Sequence, residues 1–234
     1  MNILVVAAHP DDEVLGFGAT GAILADKGGS IKTCFASGSV DARGARPTDD
    51  SLREHTEEAQ RLLGFDPPIY GPFPNIRMNT VPHLDLVQFV ERAIVEHSAE
   101  VIVTHHPYDI NDDHRQVAKA AMAAARASQR QPGNVPPLRA LLHMEVPSST
   151  DWVFASADAR FNPDTYVECG AGGLKRKLDA LAAYEGVMRP YPHPRSVEAI
   201  EALATVRGAE AGMELAEAFV TGFRGWHAGL EVFL

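Results

Sequence analysis

The chain has 234 residues, of which 45% are hydrophobic and 22% charged, and a formal net charge of −10. That length is enough for one domain with a sizeable buried core, and the composition is that of an ordinary globular protein. The acidic balance argues against nucleic acid or an anionic membrane as the main partner, because both reward basic surfaces.

Asn2–Ala8 is a short continuous apolar run, the pattern of a strand covered on both faces. No basic segment or long apolar stretch precedes it, so neither a signal peptide nor an integral membrane segment is expected and the location is expected to be cytoplasmic. Residues 14–28 predict a helix ending at Gly28-Gly29, and Ile31–Ala36 a second strand containing one of the two cysteines, Cys34. The other, Cys169, is far along the chain. Two isolated cysteines exclude zinc-ribbon and redox-pair spacings and predict buried thiols in a reducing compartment. Residues 37–49 form a polar loop. Asp49 or Asp50 can cap a helix running through Leu63, which Gly64 stops. Residues 66–82 carry five prolines and read as irregular. Val81–His97 has apolar residues at three-and-four spacing and predicts a helix.

Glu100–Thr104 reads as another buried strand. It is followed by "HHPYDINDDH", an Ala-rich helix from about His114 to Ala127, a loop at Gln131–Pro137 and the strand Leu138–Glu145. The remainder predicts a strand near Thr165–Glu168, a helix from about Gly173 to Val187, a Pro-rich link and a last helical stretch. The chain then returns as a strand around Phe219–Phe223. Alternating strands and helices over the first 145 residues imply an α/β fold, a mostly parallel sheet with helices on both faces. No repeat or long linker divides the chain, so a single domain over 1–234 is expected.

Two polar clusters follow two of the buried strands: His9, Asp11, Asp12 and Glu13 after the first, and His105, His106, Asp109, Asp112, Asp113 and His114 after Glu100–Thr104. In open parallel sheets ligands bind at the carboxyl ends of strands, so the two clusters can converge. Two histidines and one carboxylate facing a common point make a catalytic metal set with one position left for water, and a spare carboxylate can take that water's proton. Gly16, Gly18 and Gly21 match G-x-G-x-x-G, but the phosphate-cradling turn follows its strand directly. Here HPDDEVL intervenes with acidic residues that repel a pyrophosphate. The glycines therefore read as packing positions within a helix, although a nucleotide-binding protein stays as an alternative.

The stretches "VVAAHPDDEVLGFGAT" and "VIVTHHPYDINDDHRQVAKAA" resemble the two signature motifs of the PIG-L (LmbE-like) family of zinc-dependent N-deacetylases. The later "FNPDTYVECGAGGLKRKLDALAAYEGVMRPYPHPRS" and "RGAEAGMELAEAF" also resemble family sequence. The resemblance implies a Rossmann-like sheet without a nucleotide. It also implies removal of the N-acetyl group from an N-acetylglucosamine-type sugar or glycoconjugate by a zinc-bound water. By position, His9, Asp12 and His114 would hold zinc and Asp11 would be the general base. A set of two histidines and a carboxylate also suits Fe2+. Asp113 would orient a ligand, and Arg53 resembles a family arginine that approaches the substrate. Many members read His-x-Asp-His in the second motif, whereas this chain has Asn111 in place of the first histidine. Asn111 can donate a hydrogen bond to substrate but cannot be an acid, and His193 is the favoured helper. Tyr108, Asn75 and Arg77 are further loop candidates for sugar contact, while His55, His83, His97, His143 and His227 fit surface or core positions. An amidase for another acyl group and a non-catalytic sugar-binding relative are the remaining alternatives. Homo-oligomers, trimers or hexamers, are expected from the resemblance.

Overall fold

The computed structural model describes residues 1–40, 48–131, 133–153 and 160–225. His227, and parts of the loops at 37–49 and 146–163, lie outside the described residues. Elements alternate from the start: β1 (Asn2–Ala7), α1 (Asp12–Asp26), β2 (Ser30–Phe35), α2 (Asp49–Leu63), β3 (Asp66–Tyr70), α3 (His83–His97), β4 (Val101–His105) and α4 (Asp112–Ala124). They continue with the one-turn α5 (Ala127–Arg130), β5 (Ala140–Met144), β6 (Thr165–Glu168), α6 (Gly170–Ala183), α7 (Val197–Ala211) and β7 (Ala216–Arg224).

The strands form one seven-stranded sheet in the order β3-β2-β1-β4-β5-β7-β6. Pairing is parallel from β3 through β5, and β7 runs antiparallel to both β5 and β6. Alternate residues of β1 feed two cores. Ile3, Val5 and Ala7 pack with Phe17 of α1, Leu63 of α2, Leu181 of α6 and Ile200 of α7. Leu4 and Val6 pack on the other face with Val90 and Ile94 of α3 and Val117 and Ala121 of α4. This is the mostly parallel sheet with helices on both faces that the alternation predicts. No described helix is long and apolar enough to cross a membrane.

One expectation is corrected. Residues 66–82 are not irregular throughout, because Asp66–Tyr70 is a strand despite Pro67 and Pro68. It lies at the sheet edge, where only one side must pair and a missing N–H is tolerated. Helix starts also shift: α1 begins at Asp12 and α4 at Asp112, each with acidic residues in the first turn. Negative charge there complements the helix dipole. The glycine motif lies inside α1. A Cβ at Gly16 would come within 2.6 Å of the Met144 side chain, and one at Gly21 within 2.3 Å of Phe65. These glycines permit close helix packing.

The topology also places the site. From β1 the chain moves outward to β2 and β3, then returns to β4 on the other side of β1. Ligands in such sheets bind beyond the carboxyl ends of the strands at this reversal. Val6 of β1 pairs with Thr104 of β4, so the HPDDE and HHPYDINDDH segments emerge side by side.

Candidate metal centre

Between β1 and α1 the chain turns through Asp11, whose φ of 109° lies in the left-handed region that side chains rarely adopt. Glu13 braces this turn by accepting the Asp11 N–H at 3.0 Å. Its other oxygen accepts Gln60 Nε2 at 2.9 Å and the Tyr184 hydroxyl at 2.8 Å. Burial pushes the Glu13 carboxyl up to about 8. Asp12 Oδ2 folds back to accept the His9 N–H at 2.9 Å.

Across the reversal, Asn111 caps α4 by accepting the Asp113 N–H at 3.0 Å. The first turn of α4 then divides its side chains. Asp112 turns outward to Arg115 at 2.7 Å, whereas Asp113 and His114 are buried.

His9, Asp12 and His114 bring ligand atoms within 4.8 Å of one another. Asp12 Oδ2 is 3.4 Å from His9 Nδ1 and 3.3 Å from His114 Nε2. Tetrahedral donors on bonds of roughly 2.0–2.2 Å sit about 3.3–3.6 Å apart, so both spacings suit zinc. The outer nitrogens are committed elsewhere. His9 Nε2 donates to Asp113 Oδ2 at 3.0 Å, and His114 Nδ1 faces Asp109 Oδ2 at 3.2 Å. Carboxylates on the outer nitrogens fix the tautomers that leave the inner lone pairs free.

Histidine His105 stacks on His114 with centroids 3.9 Å apart, and its Nε2 is 3.6 Å from Asp12. That nitrogen accepts the Ala8 N–H at 2.8 Å, so its lone pair is taken and it is not a donor to the cluster. Burial and the neighbouring His114 push His105 down to about 3, which keeps it neutral.

Burial works against charge on His9, yet Asp113 and Asp12 raise it overall. Asp12 is held well below the usual carboxylate range, against its burial, by His114, His9 and His105. His114 is raised by Asp12 and Asp109 despite its burial. The cluster favours positive charge at its centre, a demand that a divalent cation meets.

A family model described as PIG-L, GlcNAc-PI de-N-acetylase, matches residues 4–125, a span that contains both halves of this cluster. The chain belongs to the PIG-L family. A curated relative, the uncharacterized deacetylase YaiS of Escherichia coli (strain K12), is 32% identical over 132 residues, covering 53% of this chain and 68% of that protein. Among solved structures, N,N'-diacetylchitobiose deacetylase from Pyrococcus horikoshii superposes with a TM-score of 0.72 at 17% identity, over 94% of this chain and 83% of its own. GalB, the 4-carboxy-2-hydroxymuconate hydratase from Pseudomonas putida KT2440, does so with a TM-score of 0.75 at 20% identity, over 98% and 99%. At these identities the two structures show a shared fold.

Within this PIG-L frame the remaining expected residues divide. Asp113 does bond His9, and it also accepts the amides of Ile76 at 2.6 Å and Met78 at 2.9 Å. Ile76 has a φ of 58°, a costly conformation for a β-branched residue, and its bond to Asp113 helps to hold it. His193 is not one of the three converging donors. Its Nδ1 accepts the Arg195 N–H at 3.0 Å within the link between α6 and α7. Arg53 is exposed and lies over the Tyr70 ring, 5.1 Å from the centroid. Tyr108 and Arg77 are exposed, and buried Asn75 donates to the Ser39 carbonyl at 2.7 Å.

Two contributors escaped the sequence reading. Asp109 was one polar residue among many, yet it is buried and holds His114. It is held in turn by the Ser149 hydroxyl, the Thr150 hydroxyl at 2.8 Å and the Asn111 backbone N–H at 2.9 Å. Against burial, His114 and the Ser149 bond keep its carboxyl down at about 2. Arg195 sits two residues past the favoured His193, and its Nη1 is 3.3 Å from Asp11 Oδ2. Its place in "HPRS", the segment that begins at His193, was the available signal.

Proposed function

We propose that this PIG-L member is a zinc-dependent N-deacetylase acting on an N-acetylglucosamine-type sugar or glycoconjugate. The observation that carries the reading is the set of three converging donors, His9, Asp12 and His114, with a further carboxylate next in sequence at Asp11. Three donors leave a position open, as catalytic rather than structural sites do. Bound there, Zn2+, or Fe2+ in its place, supplies Lewis acidity toward an amide carbonyl and lowers the pKa of a water.

In this reading Asp11 takes the proton of the attacking water. It also returns that proton to the leaving amine, since Asn111 has no titratable group. With its oxygen engaged at the α4 cap, Asn111 offers its amide nitrogen to the substrate. His193 has Nδ1 occupied, so Nε2 carries the proton and can donate to the developing oxyanion. Arg53, on the β2–β3 side, is assigned to a substrate hydroxyl. The deacetylase name of the YaiS relative and the chitobiose substrate in the name of the Pyrococcus neighbour support the assignment.

A second reading is water addition to an unsaturated acid, the kind of reaction named for the GalB neighbour, in which the proton taken from water by Asp11 returns to carbon instead of to a leaving amine. A panel of N-acetylglucosamine conjugates, their longer-chain N-acyl counterparts and an unsaturated dicarboxylic acid separates these readings. Acetate release that a chelator abolishes is expected. Release of only the longer acids would indicate an amidase of different acyl choice. Hydration of the diacid without any acid release would refute the deacetylase reading.

A further inference from the structure

We infer that Arg195 is a positioning residue that fixes the carboxylate of Asp11 for its work as the base. This inference rests on the deacetylase reading. Asp11 is fully buried, and Arg195, 184 positions away, places Nη1 3.3 Å from its Oδ2. The contact comes from an arginine anchored at both ends. Its Nε donates to Ser148 Oγ at 2.7 Å and to the Pro147 carbonyl at 3.3 Å. Its backbone N–H goes to His193, and its carbonyl accepts the Arg189 N–H at 3.2 Å. The next residue, Ser196, caps α7 through the Ala199 N–H at 3.1 Å.

A guanidinium is a rigid planar fork, so fixing Nε also fixes the direction in which Nη1 points. The turn that fixes Nε has a second task. Ser148 sits there with a φ of 69°, and the next two residues, Ser149 and Thr150, hold Asp109, which faces the outer nitrogen of His114. One turn after β5 thus sets both a cation-cluster histidine, through Asp109, and the base, through Arg195. A base misplaced by about 1 Å costs on the order of 100-fold in rate, which is the scale of the expected effect.

The test compares metal-loaded wild type with Arg195→Gln, Arg195→Lys and Arg195→Gly in acetate release, metal content and crystal structure. The expected results for Arg195→Gln are a fall in kcat of about 100-fold, KM within a few-fold and unchanged metal content. Arg195→Lys should recover part of the rate, and added guanidinium should raise the rate of Arg195→Gly. In the crystals, the Asp11 carboxylate should hold one orientation in wild type and a different or divided one in Arg195→Gln. An unchanged kcat, a loss confined to KM, or a loss that tracks missing metal would overturn the proposal. Should wild type release no acetate from any conjugate, the deacetylase reading fails. The role of Arg195 is then decided by the crystals alone, and an unmoved, equally ordered Asp11 in Arg195→Gln rejects it.

Discussion

Replacing Asp113 by Asn changes one atom of the carboxylate that orients His9, and its consequences can be worked bond by bond. Oδ2 serves His9 Nε2 and the Ile76 amide, while Oδ1 serves the Met78 amide at 2.9 Å. An amide has one oxygen, so its best orientation keeps that oxygen on the His9 side and turns Nδ2 toward the Met78 N–H. A buried donor then faces a donor, which costs about 1–3 kcal/mol. At roughly 2–4 °C per kcal/mol for a chain of this size, the metal-free protein should melt about 2–12 °C lower. The remaining bond to His9 comes from a neutral acceptor, so the imidazole becomes a poorer donor. Loss of such an outer partner weakens metal affinity about 10–100-fold. Competition with a chromophoric chelator measures that affinity, and thermal melts of the stripped protein measure the stability cost. A lowered melt with wild-type metal affinity would refute the argument, because it would mean that Asp113 supports the fold without tuning a ligand.

Three further outcomes follow from the same structure. Asp11→Asn should lower acetate release by about 100-fold or more while metal content stays stoichiometric, since a general base is worth about 10²–10⁴ in rate; near-normal turnover would remove Asp11 from its role. Gly21→Ala gains about 1 kcal/mol of helix propensity but drives a methyl to within 2.3 Å of Phe65, an overpacking worth about 1–3 kcal/mol. Denaturant melts should therefore show a net loss of about 1 kcal/mol, and an Ala variant more stable than wild type would reject the packing role. Cys34 and Cys169 are both buried, and burial pushes the Cys34 thiol up and the Cys169 thiol up to about 12. A thiol reagent at pH 8 should leave the native protein unmodified and modify both cysteines after denaturation; rapid modification of the native protein would contradict the packing around them.

The sheet and the two converging clusters were legible because their signals are local. Asn2–Ala8 and Glu100–Thr104 are uninterrupted apolar runs, and polar residues placed just beyond them must emerge at the same edge. β3 was hidden because Pro67 and Pro68 argue against a strand unless its position at the edge is known, and edge position is a property of the whole sheet. Within HHPYDINDDH, the burial of Asp109 and Asp113 against the outward turn of Asp112 depends on where α4 begins. Asn111 sets that start by its cap, and the start falls two residues earlier than the apolar pattern indicates. His193 drew notice because histidines titrate, whereas Arg195 lies in a Pro-rich link without periodicity. Its contact with Asp11 spans 184 positions, a separation over which no local pattern operates.

The bond from the Ala8 N–H to His105 Nε2 ties the end of the first strand to the end of the fourth. With its ring 3.9 Å from that of His114 and 18° from parallel, His105 directs its nitrogens alongside the point where His9, Asp12 and His114 meet, and it serves as a floor to the seat rather than as a leg of it. No side-chain exchange at position 8 can remove this support, because the donor belongs to the backbone of every residue except proline. Ala8→Pro would therefore be the one replacement there that leaves the His105 ring free to turn and takes the backing from His114.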